Sequence, residues 1–201
     1  LEDTEIARRF LKEAIEIDGN LISAKILLGE TYTDYNDFDK AMDIYQTALD
    51  QSEKSDDKKN VAILIRKIGN RYLSKADYDT AMIYYKRSLK MSEELDDKEL
   101  ISASLNNIGI IYKDKGDYEI AMDYLSRSKQ IAEKLDDKHW MIYPINNIGD
   151  IHKTKGDYEI AIEYFTRSLQ LAEELDDKNH KGWALQAIGS TYIYKGDYEN
   201  A

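Results

Sequence analysis

The chain has 201 residues, 42% hydrophobic and 33% charged, with a formal net charge of −11. This balance fits a folded, soluble, helix-rich protein. It argues against a nucleic-acid partner, because phosphate binding needs the opposite sign, and favours a partner with basic residues. The chain has no cysteine, so neither a disulfide framework nor a thiolate metal site is available.

No apolar run approaches the ~20 residues needed to span a bilayer. The start, Leu1-Glu2-Asp3-Thr4-Glu5, is acidic and lacks the basic opening of a signal peptide. A cytoplasmic protein with no membrane partner is expected, any targeting segment lying outside these residues.

Residues 1–20 read as one helix, with Ala7, Leu11, Ala14 and Ile15 on one stripe and Asp18-Gly19-Asn20 as its stop. The next stretch, 21–56, sets a pattern of Gly29, Tyr32, Phe38, Ala41 and Tyr45. It returns over 57–96 as Gly69, Tyr72, Tyr78, Ala81 and Tyr85, and over 97–136 as Gly109, Tyr112, Tyr118, Ala121 and Leu125. Over 137–176 it is Gly149, His152, Tyr158, Ala161 and Phe165, and over 177–201 Gly189, Tyr192, Tyr198 and Ala201. The spacing is 40 residues each time. Chance does not align that many positions over so many copies.

Each copy predicts two helices. Leu105, Ile108, Gly109 and Tyr112 make one apolar stripe, and Tyr118, Ala121, Leu125 and Ser128 another. Between them, Lys115-Gly116-Asp117-Tyr118 recurs as Lys155-Gly156-Asp157-Tyr158 and Lys195-Gly196-Asp197-Tyr198. Glycine suits the left-handed position that ends a helix, and aspartate caps the next one. Asn36 tolerates that position, whereas Ala76 is strained there by about 1 kcal/mol. The glycine and alanine positions let helices approach closely while aromatic rings fill the gaps. Pro144 predicts a disturbance over 139–143, with the helix starting late near Ile142 or kinking.

These residues resemble the tetratricopeptide repeat, which has small residues at its eighth and twentieth positions and aromatics at its eleventh and seventeenth. The resemblance covers essentially the whole chain, and 1–20 then reads as the second helix of a preceding repeat, Ala7 to Ala41 spanning the usual 34 residues. The later period of 40 and the missing terminal proline depart from the common form. They are similar to the Leu-Gly-Asn-rich G-protein-signalling modulators and to arrays preceding some bacterial histidine kinases and nucleotide cyclases. The extra residues fall at Leu95-Asp96-Asp97-Lys98, Leu135-Asp136-Asp137-Lys138 and Leu175-Asp176-Asp177-Lys178, read as acidic corners with a capping aspartate. The resemblance implies an all-α, right-handed superhelical solenoid of antiparallel helix pairs, a single array whose first helices line a concave face.

No constellation of residues points to an enzyme. The paired acids recur at one corner of every copy, which favours capping over acid–base work. His152 takes a repeat tyrosine position, and neither it nor His139 nor His180 belongs to an HExxH pattern. No phosphate loop or catalytic triad is present, so no cofactor and no metal is expected. Of the sixteen tyrosines, Tyr84, Tyr124 and Tyr164 belong to the packing pattern, whereas Tyr143, Tyr194 and Trp183 fall outside it.

Projecting the family's groove positions gives Arg66, Asn70, Asn106, Asn107, Tyr143, Asn146, Asn147, Trp183 and Gln186, with Lys113, Lys153 and Tyr194 deeper on the same face. The set is amide-rich and locally basic. Side-chain amides offer both donors and acceptors to an extended peptide, and family arrays clamp peptide backbones in this way. Arg66, Asn70 and Asn107 match part of a carboxylate clamp, incomplete because the next unit lacks its two basic residues. Asn107 and Asn147 equally suit a bracing role between helices. The expected function is a non-enzymatic scaffold holding a peptide or protein segment, the alternative being a regulatory region of a larger kinase or cyclase. Because the chain opens and stops inside repeats, end-to-end self-association is also expected.

Overall fold

The computed structural model describes residues 2–33 and 37–196. Helix packing divides the chain into two compact units, 1–96 and 97–201. Within the described residues ten α-helices and no strand are found. In the first unit these are α1 (Glu2–Ile17), α2 (Ile22–Thr33), α3 (Phe38–Lys54), α4 (Lys58–Ser74) and α5 (Tyr78–Glu94). The second holds α6 (Lys98–Lys115), α7 (Tyr118–Lys134), α8 (Lys138–Lys155), α9 (Tyr158–Glu174) and α10 (Lys178–Lys195). The pairs α2/α3, α4/α5, α6/α7 and α8/α9 are the predicted hairpins.

The glycine positions are notches that receive one side chain of the second helix. A Cβ on Gly149 would stand 2.6 Å from Phe165, and one on Gly109 2.7 Å from Leu125. Tyr45 and Tyr85 enter the Gly29 and Gly69 notches likewise. All four inserted side chains are buried, as are the alanines 41, 81, 121 and 161. Above three of the four notches an aromatic pair closes the hairpin, with centroids 5.4 Å apart for Tyr72 on Tyr84, 5.6 Å for Tyr112 on Tyr124 and 5.7 Å for His152 on Tyr164. His152 thus does a tyrosine's packing work.

Each corner between repeats divides its two aspartates. The first, at Asp56, Asp96, Asp136 or Asp176, adopts φ between 52 and 54° and closes the preceding helix. The second, at Asp57, Asp97, Asp137 or Asp177, accepts a backbone N–H of the following helix. The left-handed first aspartate was not anticipated; such short polar side chains tolerate this region better than most. Gly116, Gly156 and Gly196 take φ of 84 to 86° as expected. Asp117 and Asp157 hold the N-cap positions but make no capping side-chain bond; Asp157 instead meets His152 Nδ1 at 3.2 Å. Asn36 lies outside the described residues, as do Asp197, Tyr198 and Ala201.

Ala76 sits at φ 57°, where a Cβ crowds the backbone. Ala76→Gly is therefore expected to stabilise the chain by about 1 kcal/mol, read from urea unfolding; no gain would show that local relaxation has removed the strain.

One expectation is corrected. The helix carrying Pro144 is continuous from Lys138, without the late start near Ile142. Pro144 is buried at the position of the buried Leu64, Ser104 and Ala184, so its packing offsets the backbone hydrogen bond it lacks. On α1, Ala7 is exposed and Leu11 half-buried, unlike the buried Ala41 and Tyr45. That helix is held by Arg8, which donates to Thr31 Oγ1 (3.1 Å) and to the Thr31 carbonyl (2.6 Å) and lies over the Tyr32 ring.

Candidate functional site

In the first unit, α4 presents Arg66, Lys67, Asn70 and Arg71. Arg66 is buried and Asn70 half-buried, and Asn70 Oδ1 accepts the Tyr85 hydroxyl at 2.8 Å. Burial pushes that hydroxyl well above the ordinary tyrosine range, with the Arg66 and Arg71 guanidiniums pulling the other way. Lys67 forms an ion pair with Glu30 of α2. A cleft of about 320 Å³ lies between these helices, lined by Glu30, Thr33, Tyr45, Lys67, Asn70 and Arg71. Glu30, Lys67 and Arg71 were not singled out from sequence. Their signal was the offset from glycine, Glu30 one residue after Gly29 and Lys67 two before Gly69.

In the second unit, α6, α8 and α10 are the first helices, and the predicted residues fall into two groups. Asn106, Asn147 and Lys113 form one network. Asn147 Nδ2 donates to Asn106 Oδ1 (3.2 Å) and to the Tyr143 carbonyl (3.0 Å), and its Oδ1 accepts Lys113 Nζ at 2.9 Å. Asp150 stands 3.6 Å from Lys113 and 3.3 Å from Lys153. The acid lies between the two ammoniums, so this face is less basic than its lysines alone suggest. Asn107 is half-buried beside Asn106, whose Nδ2 points to its Oδ1 at 3.5 Å.

The second group lies toward α10. Asn146 is buried, at 8% exposure, and its Oδ1 has no hydrogen-bond partner. Trp183 is 38% exposed and meets Phe165 edge-on at 5.8 Å, while Lys153 Nζ lies 5.6 Å above the same ring. Gln186 is exposed, and Tyr194 is 69% exposed. Tyr143 is half-buried in a cluster that sequence reading missed. Its ring lies 5.4 Å from His139, 5.4 Å from Trp140 and 5.2 Å from His180. His180 Nδ1 is 2.6 Å from Asp177 Oδ2. The His180 backbone N–H and ring hold the Asp177 carboxyl below its usual range.

A larger cavity of about 460 Å³ opens elsewhere in this unit, among α7, α8 and α9, over Met141, Ile145 and Tyr164. Lys129, paired with Glu133 at 2.9 Å, lines it at the position held by Leu49, Leu89 and Leu169 in the other repeats. Among the described residues no three His, Asp or Glu side chains gather as a metal site. No helix is long and apolar enough to cross a membrane.

This arrangement of notched hairpins with polar first-helix faces is the tetratricopeptide repeat, and the family matches residues 20–94, 99–171 and 140–201. The chain belongs to that family. In fold it is similar to BtubC from P. vanneervenii, with TM-score 0.72 and 20% identity over 100% of this chain and 84% of that one. It is also similar to the Cut9-Hcn1 hetero-tetramer of the APC/C, with TM-score 0.72 and 18% identity over 98% of this chain and 34% of that one. Aspartyl phosphate phosphatase F from Bacillus subtilis gives TM-score 0.71 and 15% identity, over 89% of this chain and 56% of that one. No curated protein matches the chain in sequence.

Proposed function

We propose that this chain is a non-catalytic scaffold that holds a protein or peptide segment on the face presented by its first helices. One observation carries the reading: the notch glycines and their neighbouring alanines are constant, while first-helix positions beside them carry polar and aromatic side chains that change from repeat to repeat. The notch glycines and buried alanines recur throughout, whereas one first-helix position reads Ile63, Ala103, Tyr143, Trp183 and another Arg66, Asn106, Asn146, Gln186. Asn147 braces neighbouring helices, whereas the exposed Trp183 and Gln186 are placed to meet a guest. Membership of the family supports the same reading, and the net charge of −11 favours segments with basic residues.

Replacing Trp183 and Gln186 together with alanine tests it. Gln186 is exposed and Trp183 touches Phe165 only along one edge, so melting should fall by no more than a few degrees while retention of co-purifying proteins on the immobilised chain falls at least tenfold. Unchanged retention, together with a loss on substituting the exposed second-helix residues Ile83 and Ile120, would place recognition elsewhere.

A further inference from the structure

The cavity of about 460 Å³ among α7, α8 and α9 is lined by the apolar Met141, Ile145 and Tyr164 and by four charged side chains. Those are Lys129 and Glu133 of α7 and Glu163 and Arg167 of α9. The volume falls within the roughly 300–1,000 Å³ of ligand sites. Trp183 and Gln186 do not line it, so it stands apart from the first-helix site.

The first unit shows what the equivalent place holds. Two repeats earlier, Val61, Ile65 and Tyr84 stand for Met141, Ile145 and Tyr164, and Leu49 stands for Lys129. Leu49 is buried in one cluster with Val61 and Ile65, and Tyr84 packs against that cluster. In the second unit Met141 and Ile145 are buried together with Tyr164 against them. Here, however, the side chain at 129 ends in an ammonium that Glu133 holds at 2.9 Å. A lysine stem covers apolar surface while its head stays in water, so position 129 supplies no branched aliphatic group.

The charged residues differ from their siblings as well. On α7, Asp123 and Arg127 pair at 3.7 Å. Their equivalents on α9 are Glu163 and Arg167, yet Arg167 donates to Gln170 Oε1 at 3.3 Å. The exposed Glu163 is left with no ion pair among the described residues.

We propose that this cavity is a second docking site, which takes a leucine or isoleucine side chain of a partner protein with a lysine or arginine beside it. The aliphatic group occupies the place that Leu49 fills in the first unit, and the neighbouring cation meets Glu163. Lys129 and Arg167 are engaged by Glu133 and Gln170, so Glu163 sets the sign of the partner's charge. The net charge of −11 attracts the same segments. A polar anchor would lose its hydrogen bonds to water against Met141 and Ile145.

Carbon-13 methyl spectra of Met141 and Ile145 read the site. N-acetyl-leucyl-lysinamide should shift both methyls saturably, and the same dipeptide with glutamate in place of lysine should need at least threefold more for half-saturation. Glu163→Gln should remove that preference. Lys129→Leu puts the aliphatic group back from within; it should abolish both responses without lowering the melting temperature. No saturable shift, equal half-saturation by the two dipeptides, or an undiminished response in Lys129→Leu would overturn the site. Shifts driven by raising the protein concentration alone would make a second copy of this chain the occupant, and would overturn it too.

Discussion

Gly149→Ala is expected to destabilise the second unit by about 2–3 kcal/mol, because the added methyl would stand 2.6 Å from the buried Phe165 ring. Both groups are fixed: the glycine lies mid-helix in α8, and the ring fills the space between α8 and α9. Phe165→Ala alone should cost about 3–5 kcal/mol through the cavity it leaves. The double variant should cost clearly less than the sum, since removing the ring makes room for the methyl. Denaturant unfolding of the four proteins gives the coupling directly. Strict additivity would show that the ring does not occupy the glycine notch.

Asn147→Ala is the second large effect, expected at about 2 kcal/mol of lost stability. It strips a partner from the buried Asn106 oxygen and from Lys113 Nζ, and a buried polar atom left unmet costs more than an average hydrogen bond contributes. Asn146→Ala, one residue earlier on the same helix, removes an oxygen that has no partner. Its expected change is under about 1 kcal/mol. The two asparagines are indistinguishable by type and neighbourhood in sequence, so the contrast isolates the geometry. Equal losses at both would contradict the assignment of Asn147 as the brace.

How much of this was legible beforehand depends on the distance over which each signal acts. The notches were readable because Gly109 and Leu125, or Gly149 and Phe165, lie within one repeat and recur at fixed offsets. The capping role of Asp97 was readable for the same reason. The left-handed Asp96 was not, because the composition of the corner does not reveal that a single residue separates the closing of one helix from the capping of the next. Pro144 misled because local propensity was weighed without knowing that its ring would be buried. For the site, the amides were found by position, but their division of labour was hidden. Asn147 meets Asn106 across 41 residues, and Asp150 meets Lys113 across 37, contacts set by how successive first helices stack. The acids set beside the lysines were missed for that reason, since Glu30 and Asp150 carry no mark as partners until the helices are side by side.

A photo-crosslinking amino acid placed one at a time at Gln186 and Asn70 on first helices, and at Ile83 and Ile120 on second helices, tests the central claim most directly. With partners captured from cell extract, covalent adducts should form from the first-helix positions and be lost on adding an excess of unlabelled chain. Adducts confined to Ile83 and Ile120 would contradict the account, because the guest would then lie against the second helices.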